Sequence, residues 1–299
     1  MTTLISPQDF TNATNQLRTF FNDLGFLEVH TQNRLSILAA CEDPTTVTTY
    51  DYAGQIWPLP QTGQMWLEYE LLQNPDLKGV YCVSTSYRQE QNPVAGRHEL
   101  IFPMFEFEAP GTFDDLIEME EKLVCHLGFR PCIYPIKRYT EWQEEFNTTE
   151  ELTNEHEQMI CEWADARRDQ ESNTRPRSQD LPPGVGFITH FPYSTSPFWN
   201  MKKEGDFANK CDVIIGGMET IGSAERATDV QEMKEQFYTI SNGEYANLLF
   251  DLFGKERVEL ELFKFLSHDF VPRYGGGIGV TRMISAMKRA GLLVKNDQE

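Results

Sequence analysis

Two separated segments of the chain combine arginines with glycines or carboxylates in patterns that suit a polyphosphate ligand. The first comprises YRQE at 87–90 and GRHELIFPMFEFE at 96–108, and the second is GGGIGVTR at 275–282. Arg88 and Arg282 can each donate charge-assisted hydrogen bonds to phosphate oxygens. Together the segments predict two arginine-bearing walls of one nucleotide site, and hence an ATP-using enzyme.

Residues 101–108 alternate in the way that a β-strand requires. Residues two apart on a strand share a face, so Arg88 and Glu90 would share one face of the preceding strand. One face of the partner strand would carry Phe102, Met104, Glu106 and Glu108. The opposite face would bury Ile101, Phe105 and Phe107 in the core. The alternative for the acidic face is a solvated strand surface.

The glycines of 275–282 suit close contact with a flat ligand, and they differ in pattern from a phosphate-binding loop. Glycines such as Gly277 and Gly279 let the backbone approach a ligand closely. Arg282 would then lie in the first turn of the following helix, where it can meet a phosphate. Taken alone, the glycine run is also typical of a bulge or turn.

Two carboxylates flank a Gly216-Gly217 turn and could hold a metal ion. A hairpin at this turn would bring Asp212 and Glu219 near each other. Carboxylate oxygens are the ligands that Mg²⁺ prefers, and the ion would also bridge ATP phosphates. The alternative is a pair of unrelated surface acids in an acidic chain.

Several elements must position these groups. Ser6 and Pro7 predict the start of an amphipathic helix that ends at Gly25, with a strand at 26–29 after it. Strands at 78–84 and 101–108 form a long hairpin, and a helix follows from Thr112 to Gly128. Further strands are expected at 186–191, 211–217 and 218–223, then one glutamate-rich helix before the glycine run. The economical interpretation is one domain over 1–299, with a charged insertion of exposed helices at about 137–180. We do not expect catalytic residues in this insertion.

Composition narrows the function classes. The chain has 26 Lys and Arg against 46 Asp and Glu, a net charge of −20, which repels polyanions and disfavours DNA or a large RNA footprint. No apolar run is long enough to span a membrane and no signal peptide is visible, so we expect a cytoplasmic protein with no membrane partner. The six cysteines lack metal-binding spacing and are expected to be free thiols, most of them buried.

The segments at 87–108, 212–226 and 275–282, in this order, resemble the catalytic core of class II aminoacyl-tRNA synthetases. The resemblance is strongest to the aspartyl/asparaginyl branch. It implies an α/β (α+β) fold in which an antiparallel β-sheet is flanked by helices. Residues 16–31 look like motif 1, which implies a homodimer formed through this helix. The chain departs from the family at Gln32 (usually Pro), Glu225 (usually Gln) and Thr281 (usually Glu).

The resemblance implies a role for each nucleotide-site residue. Arg88 would contact the α-phosphate, Glu90 the adenine amino group, and His98 the outer phosphates. Phe102 would stack on adenine, while Arg282 would lie against adenine and the γ-phosphate beside Gly277 and Gly279. Asp212 and Glu219 fall on the metal-binding acids, which implies Mg²⁺.

The resemblance also implies the amino-acid pocket, formed by Gln64, Glu68, Glu106 and Arg226. Arg226 would grip the side-chain oxygen of Asp or Asn. Leu67 and Glu68 stand where aspartyl enzymes have Lys-Gln, and Glu68 could accept a hydrogen bond from a carboxamide but would repel a carboxylate. The alternative is a pair of helix-surface residues.

Relatives in this branch carry an anticodon-binding barrel before motif 1, yet here the motif 1 helix starts within about ten residues of the first. We therefore expect carboxylate activation with transfer to an acceptor other than tRNA, first of all ammonia, as in asparagine synthetases of this branch. A minimal enzyme that loads Asn onto tRNA, a protein or a small molecule is the second hypothesis. The third is an inactive dimeric module that binds an amino acid or nucleotide.

Overall fold

A computed structural model describes residues 5–32, 35–37, 44–95, 97, 99–129, 134–171, 183–195 and 198–293. Its strands are β1 Leu27–Glu28, β2 Thr49–Tyr52, β3 Gln55–Pro58, β4 Val80–Tyr87, β5 Ile101–Pro110, β6 Ile136–Arg138, β7 Val185–Pro192, β8 Lys203–Glu204, β9 Phe207–Ile215, β10 Met218–Glu225 and β11 Arg273–Gly279. Its α-helices are α1 Pro7–Asp23, α2 Gln64–Gln73, α3 Phe113–His126, α4 Tyr139–Glu145, α5 Asn154–Glu171, α6 Val230–Thr239, α7 Glu244–Phe253, α8 Lys255–Leu266 and α9 Val280–Arg289.

One large, mostly antiparallel sheet organises the chain. Its order is β1-β4-β5-β11-β10-β9-β7-β6, with β8 paired to β9. Of the strand pairs in the described residues, β1–β4 and β6–β7 are parallel and the others antiparallel. β2 and β3 form a separate two-stranded hairpin. The expected pairing of the strands near 78–84 and 101–108 is confirmed by the β4–β5 register, in which Cys82 faces Glu106.

One face of the sheet packs against α1, α3 and α9 and forms the larger core. α1 begins where expected, because the Ser6 side chain caps the Asp9 amide, and α3 begins with a Thr112 capping box. Phe105 and Phe107 are fully buried on this face. The prediction was wrong for Ile101, which is 48% exposed, because it is the first residue of β5 and follows the exposed loop that joins β4 to β5.

The other face, which we call the site face, carries α2 and a second apolar cluster around α6, α7 and α8. One glutamate-rich helix was expected before the glycine run, but this stretch holds three helices. The chain bends between α6 and α7 because Ser241 and Asn242 adopt φ of 52° and 56°, and it bends again at Gly254, with φ of 85°. Trp199, Phe237 and Phe265 are buried in this cluster.

The charged segment near 137–180 is not simply an insertion of exposed helices. In α4, Trp142 is fully buried and its indole N–H donates to the Phe187 carbonyl at 2.9 Å. In α5, Ile160 and Cys161 are buried against the sheet, in the same apolar cluster as Trp142. Helix α5 is rich in charged residues, but a short apolar stripe on one side packs it against the sheet.

Among the described residues, one cysteine departs from the expectation of free thiols. Cys82, Cys161 and Cys211 are free and buried, as predicted. Cys125, in the last turn of α3, is instead disulfide-bonded, a pairing that the absence of a CxxC spacing concealed because disulfide partners need only spatial proximity. Among the described residues, no helix is long and apolar enough to cross a bilayer.

Candidate active site

A cavity of about 210 Å³ lies on the site face, over β5, β10 and β11 and beneath the loop that joins β4 to β5. The predicted site residues that line it are Arg88, Glu90, Phe102, Glu219, Gly277, Gly279 and Arg282. The structure therefore brings together residues from both arginine-bearing segments and from the β9–β10 hairpin. His98 lies outside the described residues.

Arg88 and Phe102 form one wall of the cavity. The guanidinium carbon of Arg88 lies 5.4 Å from the centroid of the Phe102 ring. Arg88 follows the last residue of β4, and its amide donates to the Leu100 carbonyl at 2.8 Å, which closes the base of the loop. Its Nε is buried and has no hydrogen-bond partner among the described residues. A buried donor without a partner costs free energy, so this wall suits an anionic ligand.

Arg282 lines the cavity from the first turn of α9, where the sequence placed it. Its NH1 donates to the Glu219 carbonyl at 2.6 Å, and its NH2 donates to the Arg97 carbonyl at 3.2 Å. Both acceptors are backbone oxygens, so the guanidinium is held by its edges. Its planar face stays suited to stacking on an aromatic base.

Glycines place the strands close to their neighbours on the site face. Gly275 and Gly277 of β11 pair with Glu108 and Glu106 of β5. A Cβ at Gly275 would lie 1.6 Å from Oε2 of Glu108, and one at Gly277 would lie 2.5 Å from Cε of Met104. The run is therefore a central strand rather than a turn, and its missing side chains make room for those of β5.

Asp212 and Glu219 approach each other across the β9–β10 hairpin, whose turn glycines Gly216 and Gly217 have φ of 60° and 83°. Both carboxylates flank Gly222, since a Cβ there would lie 2.9 Å from Oε1 of Glu219 and 3.6 Å from Oδ1 of Asp212. Lys210 Nζ lies 2.9 Å from Oδ2 of Asp212. Burial raises the pKa of Asp212, and the Lys210 ammonium opposes that shift.

A buried cluster of charges lies beside the cavity, between α2 and the ends of β5 and β11. Arg226 donates through Nε and NH2 to both oxygens of Glu108, at 3.2 and 3.1 Å, and through NH2 to Gln64 Oε1 at 3.0 Å. Arg273 NH2 donates to Glu68 Oε2 at 2.5 Å. All four charged side chains are at most 1% exposed. Glu68 is therefore not a helix-surface residue, and Glu108 does not lie on a solvated strand face.

Glu106 is a fully buried carboxylate that neutral donors hold in place. It accepts a hydrogen bond from the Gly63 amide at 2.8 Å and others from the hydroxyls of Thr62 and Ser84. Burial raises its pKa, and these hydrogen bonds lower it. No ion pair of Glu106 occurs among the described residues. Glu106 lies close to the cavity, because a Cβ at Gly277, which lines the cavity, would be 3.8 Å from Glu106 Cγ.

Glu225, one of the departures from the family pattern, is held away from Arg226. Its carboxylate accepts from Lys202 Nζ at 2.9 Å and from Asn209 Nδ2 at 2.8 Å. Glu225 pairs with Tyr274 across β10 and β11, and so it lies on the face opposite that of Gly275. The substitution therefore changes the surroundings of Lys202 rather than the Arg226 cluster.

Sequence reasoning missed several residues that organise the site. Arg273 was missed although only Tyr274 separates it from the glycine run. Asn200, whose Nδ2 donates to Glu68 Oε1 at 2.8 Å, carried no sequence signal. Arg97 adjoins His98 in the RHE sequence, which could have drawn attention to it. Glu157 of α5 forms an ion pair with Arg97, although no site residue was expected in the charged segment at 137–180.

The large, mostly antiparallel sheet flanked by helices is that of the class II synthetase fold, and the arginine-lined cavity and the paired acids lie on one face of it. The family model for class II tRNA synthetases (D, K and N) matches residues 8–291, and the chain belongs to this family. The helix-flanked antiparallel sheet is the class II synthetase fold that was expected.

Similar proteins are found among both sequences and solved structures. Cytoplasmic asparagine–tRNA ligase of Mus musculus is 36% identical over 124 residues, which are 41% of this chain and 21% of that protein. Aspartate–tRNA(Asp/Asn) ligase of Methanopyrus kandleri is 24% identical over 93% of this chain and 63% of its own length. Asparaginyl-tRNA synthetase of Pyrococcus horikoshii, solved with asparaginyl-adenylate, matches with a TM-score of 0.72 and 18% identity over 97% of this chain and 68% of that one. The chain thus spans less than two thirds of these curated relatives.

Proposed function

We propose that the protein activates an Asp- or Asn-type amino acid with ATP, forming an aminoacyl-adenylate and releasing pyrophosphate. One observation carries the proposal: the cavity brings Arg88, Phe102 and Arg282 together over the glycine strand β11. An aromatic ring and a planar guanidinium suit a purine base between them. The buried Arg88 Nε, without a partner among the described residues, suits a phosphate oxygen.

The activation step follows from these placements. A carboxylate oxygen of the amino acid attacks the α-phosphorus of ATP, a P–O bond to the β-phosphate breaks, and pyrophosphate leaves. Arg88 stabilises the negative charge that develops on the α-phosphate, and this electrostatic term is typically the largest in such reactions. Phe102 and Arg282 orient the base, and Glu90 accepts a hydrogen bond from the adenine amino group. His98 would contact the outer phosphates.

Asp212 and Glu219 fit a Mg²⁺ ion that accompanies ATP. The donor set is two hard carboxylates, and Oδ1 of Asp212 is buried without a hydrogen-bond partner among the described residues. The described residues contain no group of three or more His, Cys, Asp or Glu side chains placed to hold a metal, so phosphate oxygens and water would complete its coordination. When bound, the ion would neutralise phosphate charge.

The neighbouring cluster suits the amino acid. Glu106, which is buried and has no cationic partner among the described residues, suits a substrate ammonium group. Arg226 and Gln64 lie beside it as donors for an oxygen of whichever carboxyl or carboxamide group of the substrate is not activated, although Arg226 also neutralises Glu108. Next to Arg226, Glu68 is held in place by hydrogen bonds from Arg273 and Asn200.

We propose ammonia as the acceptor. Ammonia would attack the activated side-chain carbonyl of aspartate, form the C–N bond of asparagine and displace AMP, with one ammonia proton lost to solvent. The net charge of −20 supports this choice, because it opposes the approach of a polyanion such as tRNA but leaves neutral ammonia unaffected. The protein would act in the cytoplasm, as a homodimer through α1.

Loading of asparagine onto tRNA or another acceptor is the second candidate. Glu68 supports it, since a carboxylate 3.8 Å from Arg226 can accept a hydrogen bond from a carboxamide, although its ion pair with Arg273 weakens any repulsion of aspartate. The similarity to asparagine–tRNA ligases points in the same direction.

The test is amino-acid-dependent ATP consumption by the purified protein, with each standard amino acid and with or without ammonia, and with products identified by mass. The proposal expects AMP, pyrophosphate and asparagine from aspartate plus ammonia. AMP formation with asparagine alone would favour the second candidate. Absence of AMP with every amino acid would refute adenylation.

A further inference from the structure

Helix α5, in the charged segment that sequence analysis set aside, contacts two walls of the cavity through one carboxylate. Oε2 of Glu157 accepts a hydrogen bond from the Glu219 amide at 2.9 Å and another from NH2 of Arg97. Both Arg97 and Glu219 line the cavity. Glu157 therefore joins the β4–β5 loop to the β9–β10 hairpin at the rim of the site.

The helix that carries Glu157 is firmly seated. Cys161 Sγ accepts a hydrogen bond from the Gly217 amide at 3.1 Å, and Ile160 is buried in the core. Gly184 directly precedes β7, and a Cβ there would lie 2.2 Å from the Cys161 carbonyl oxygen, so the chain entering β7 and helix α5 are in close contact. Glu157 is thus presented from a rigid support rather than from a loose surface helix.

Arg97 depends on these contacts for its place in the cavity wall. Its NH1 donates to the Gly217 carbonyl at 3.3 Å, and its side chain is 14% exposed beside the 16% exposed Glu157. A guanidinium has five N–H donors, so these two bonds leave donors for phosphate oxygens. Arg97 also fixes its loop to α9, because its carbonyl accepts from Arg282.

We propose that Glu157 is a positioning residue for ATP, which holds Arg97 at the rim so that Arg97 binds the outer phosphates. The inference rests on the proposed function. Glu157 acts through Arg97. Among the described residues, Glu157, Asp212 and Glu219 do not form a group of three acids that could hold a metal, so its role is not that of a metal ligand. Helix α5 is therefore part of the nucleotide site.

The experiment compares Glu157→Ala and Glu157→Gln with the matched control Glu162→Ala, an exposed glutamate of the same helix. ATP–pyrophosphate exchange gives KM for ATP and for the amino acid separately. Glu157→Ala is expected to raise KM for ATP about ten-fold, the loss of one charge-assisted hydrogen bond, while KM for the amino acid stays unchanged. Glu157→Gln should recover part of the loss, because its amide oxygen still accepts from Glu219 and Arg97.

A double-mutant cycle with Arg97→Ala tests whether Glu157 affects ATP binding through Arg97. If Glu157 acts through Arg97, the double variant will bind ATP no more weakly than Arg97→Ala alone. Additive effects, or an unchanged KM for ATP in Glu157→Ala when the wild type is active, would overturn the inference and leave the proposed function standing. No exchange by the wild type would overturn both. Thermal melting of each variant verifies folding, and Glu157→Gln decides if Glu157→Ala does not fold.

Discussion

Glu120 should make the stability of the protein fall as the pH rises. It lies fully buried on α3, and its neighbours are the Ser223 hydroxyl, the Cys211 thiol and the Asp212 carboxylate, none of which is a cation. Burial raises its pKa to about 8, from an ordinary value of 4.5. Between these values the folded protein keeps a proton that the unfolded chain has lost.

The sign and size of the effect follow from this difference. Because the pKa of the folded state is the higher one, stability is full below the unfolded pKa and falls by about 1.4 kcal/mol per pH unit above it. At pH 7 the wild type should have lost about 3 kcal/mol of its free energy of unfolding through Glu120. Glu120→Gln has no proton to lose, so it should remove this decline.

Urea unfolding, followed by tryptophan fluorescence from about pH 5 to about pH 8, measures the effect. The difference in unfolding free energy between Glu120→Gln and the wild type should shift in favour of the variant by about 1 kcal/mol per pH unit. Glu118→Gln, an exposed change on the same helix, should show no such trend. A difference for Glu120→Gln that stays constant across this range would refute the reasoning.

Three further substitutions test the site. Arg88→Ala should reduce adenylate formation in ATP–pyrophosphate exchange by about a hundred-fold or more without changing the unfolding midpoint, and retained activity would show that Arg88 does not contact the α-phosphate. Glu68→Ala should lower the free energy of unfolding by about 3 kcal/mol in urea, since it leaves Arg273 buried without its closest carboxylate; a loss under about 1 kcal/mol would contradict this. Asp212→Asn should raise the Mg²⁺ concentration needed for half-maximal exchange about ten-fold, and an unchanged requirement would remove Asp212 from the metal site.

Local patterns in the sequence were sufficient for the elements nearest the chemistry. The β4–β5 hairpin follows from strand alternation, and the approach of Asp212 to Glu219 follows from the turn glycines between them. Arg282 could be placed in the first turn of α9 because the glycine run ends at Gly279, directly before that helix begins. These features depend on neighbours within a few residues, which a sequence displays.

Contacts between distant segments could not be predicted. Glu68 and Arg273 are separated by 205 positions and Arg97 and Glu157 by 60, and no local period connects either pair. The charge of α5 also concealed its buried stripe, because a helix needs only a few apolar residues on one side to pack.

The position of β11 has a consequence for how the chain acquires its shape. β11 is the last strand within the described residues, yet it lies between β5 and β10 and joins the two halves of the sheet. Until 273–279 are synthesised and inserted, β5 and β10 each present an unpaired edge, which is a template for association with other chains. Pairings between such distant segments also form slowly. A nascent or C-terminally shortened chain should therefore depend on chaperones, and the candidate-site cavity, which β11 helps to line, would be among the last features to form during synthesis.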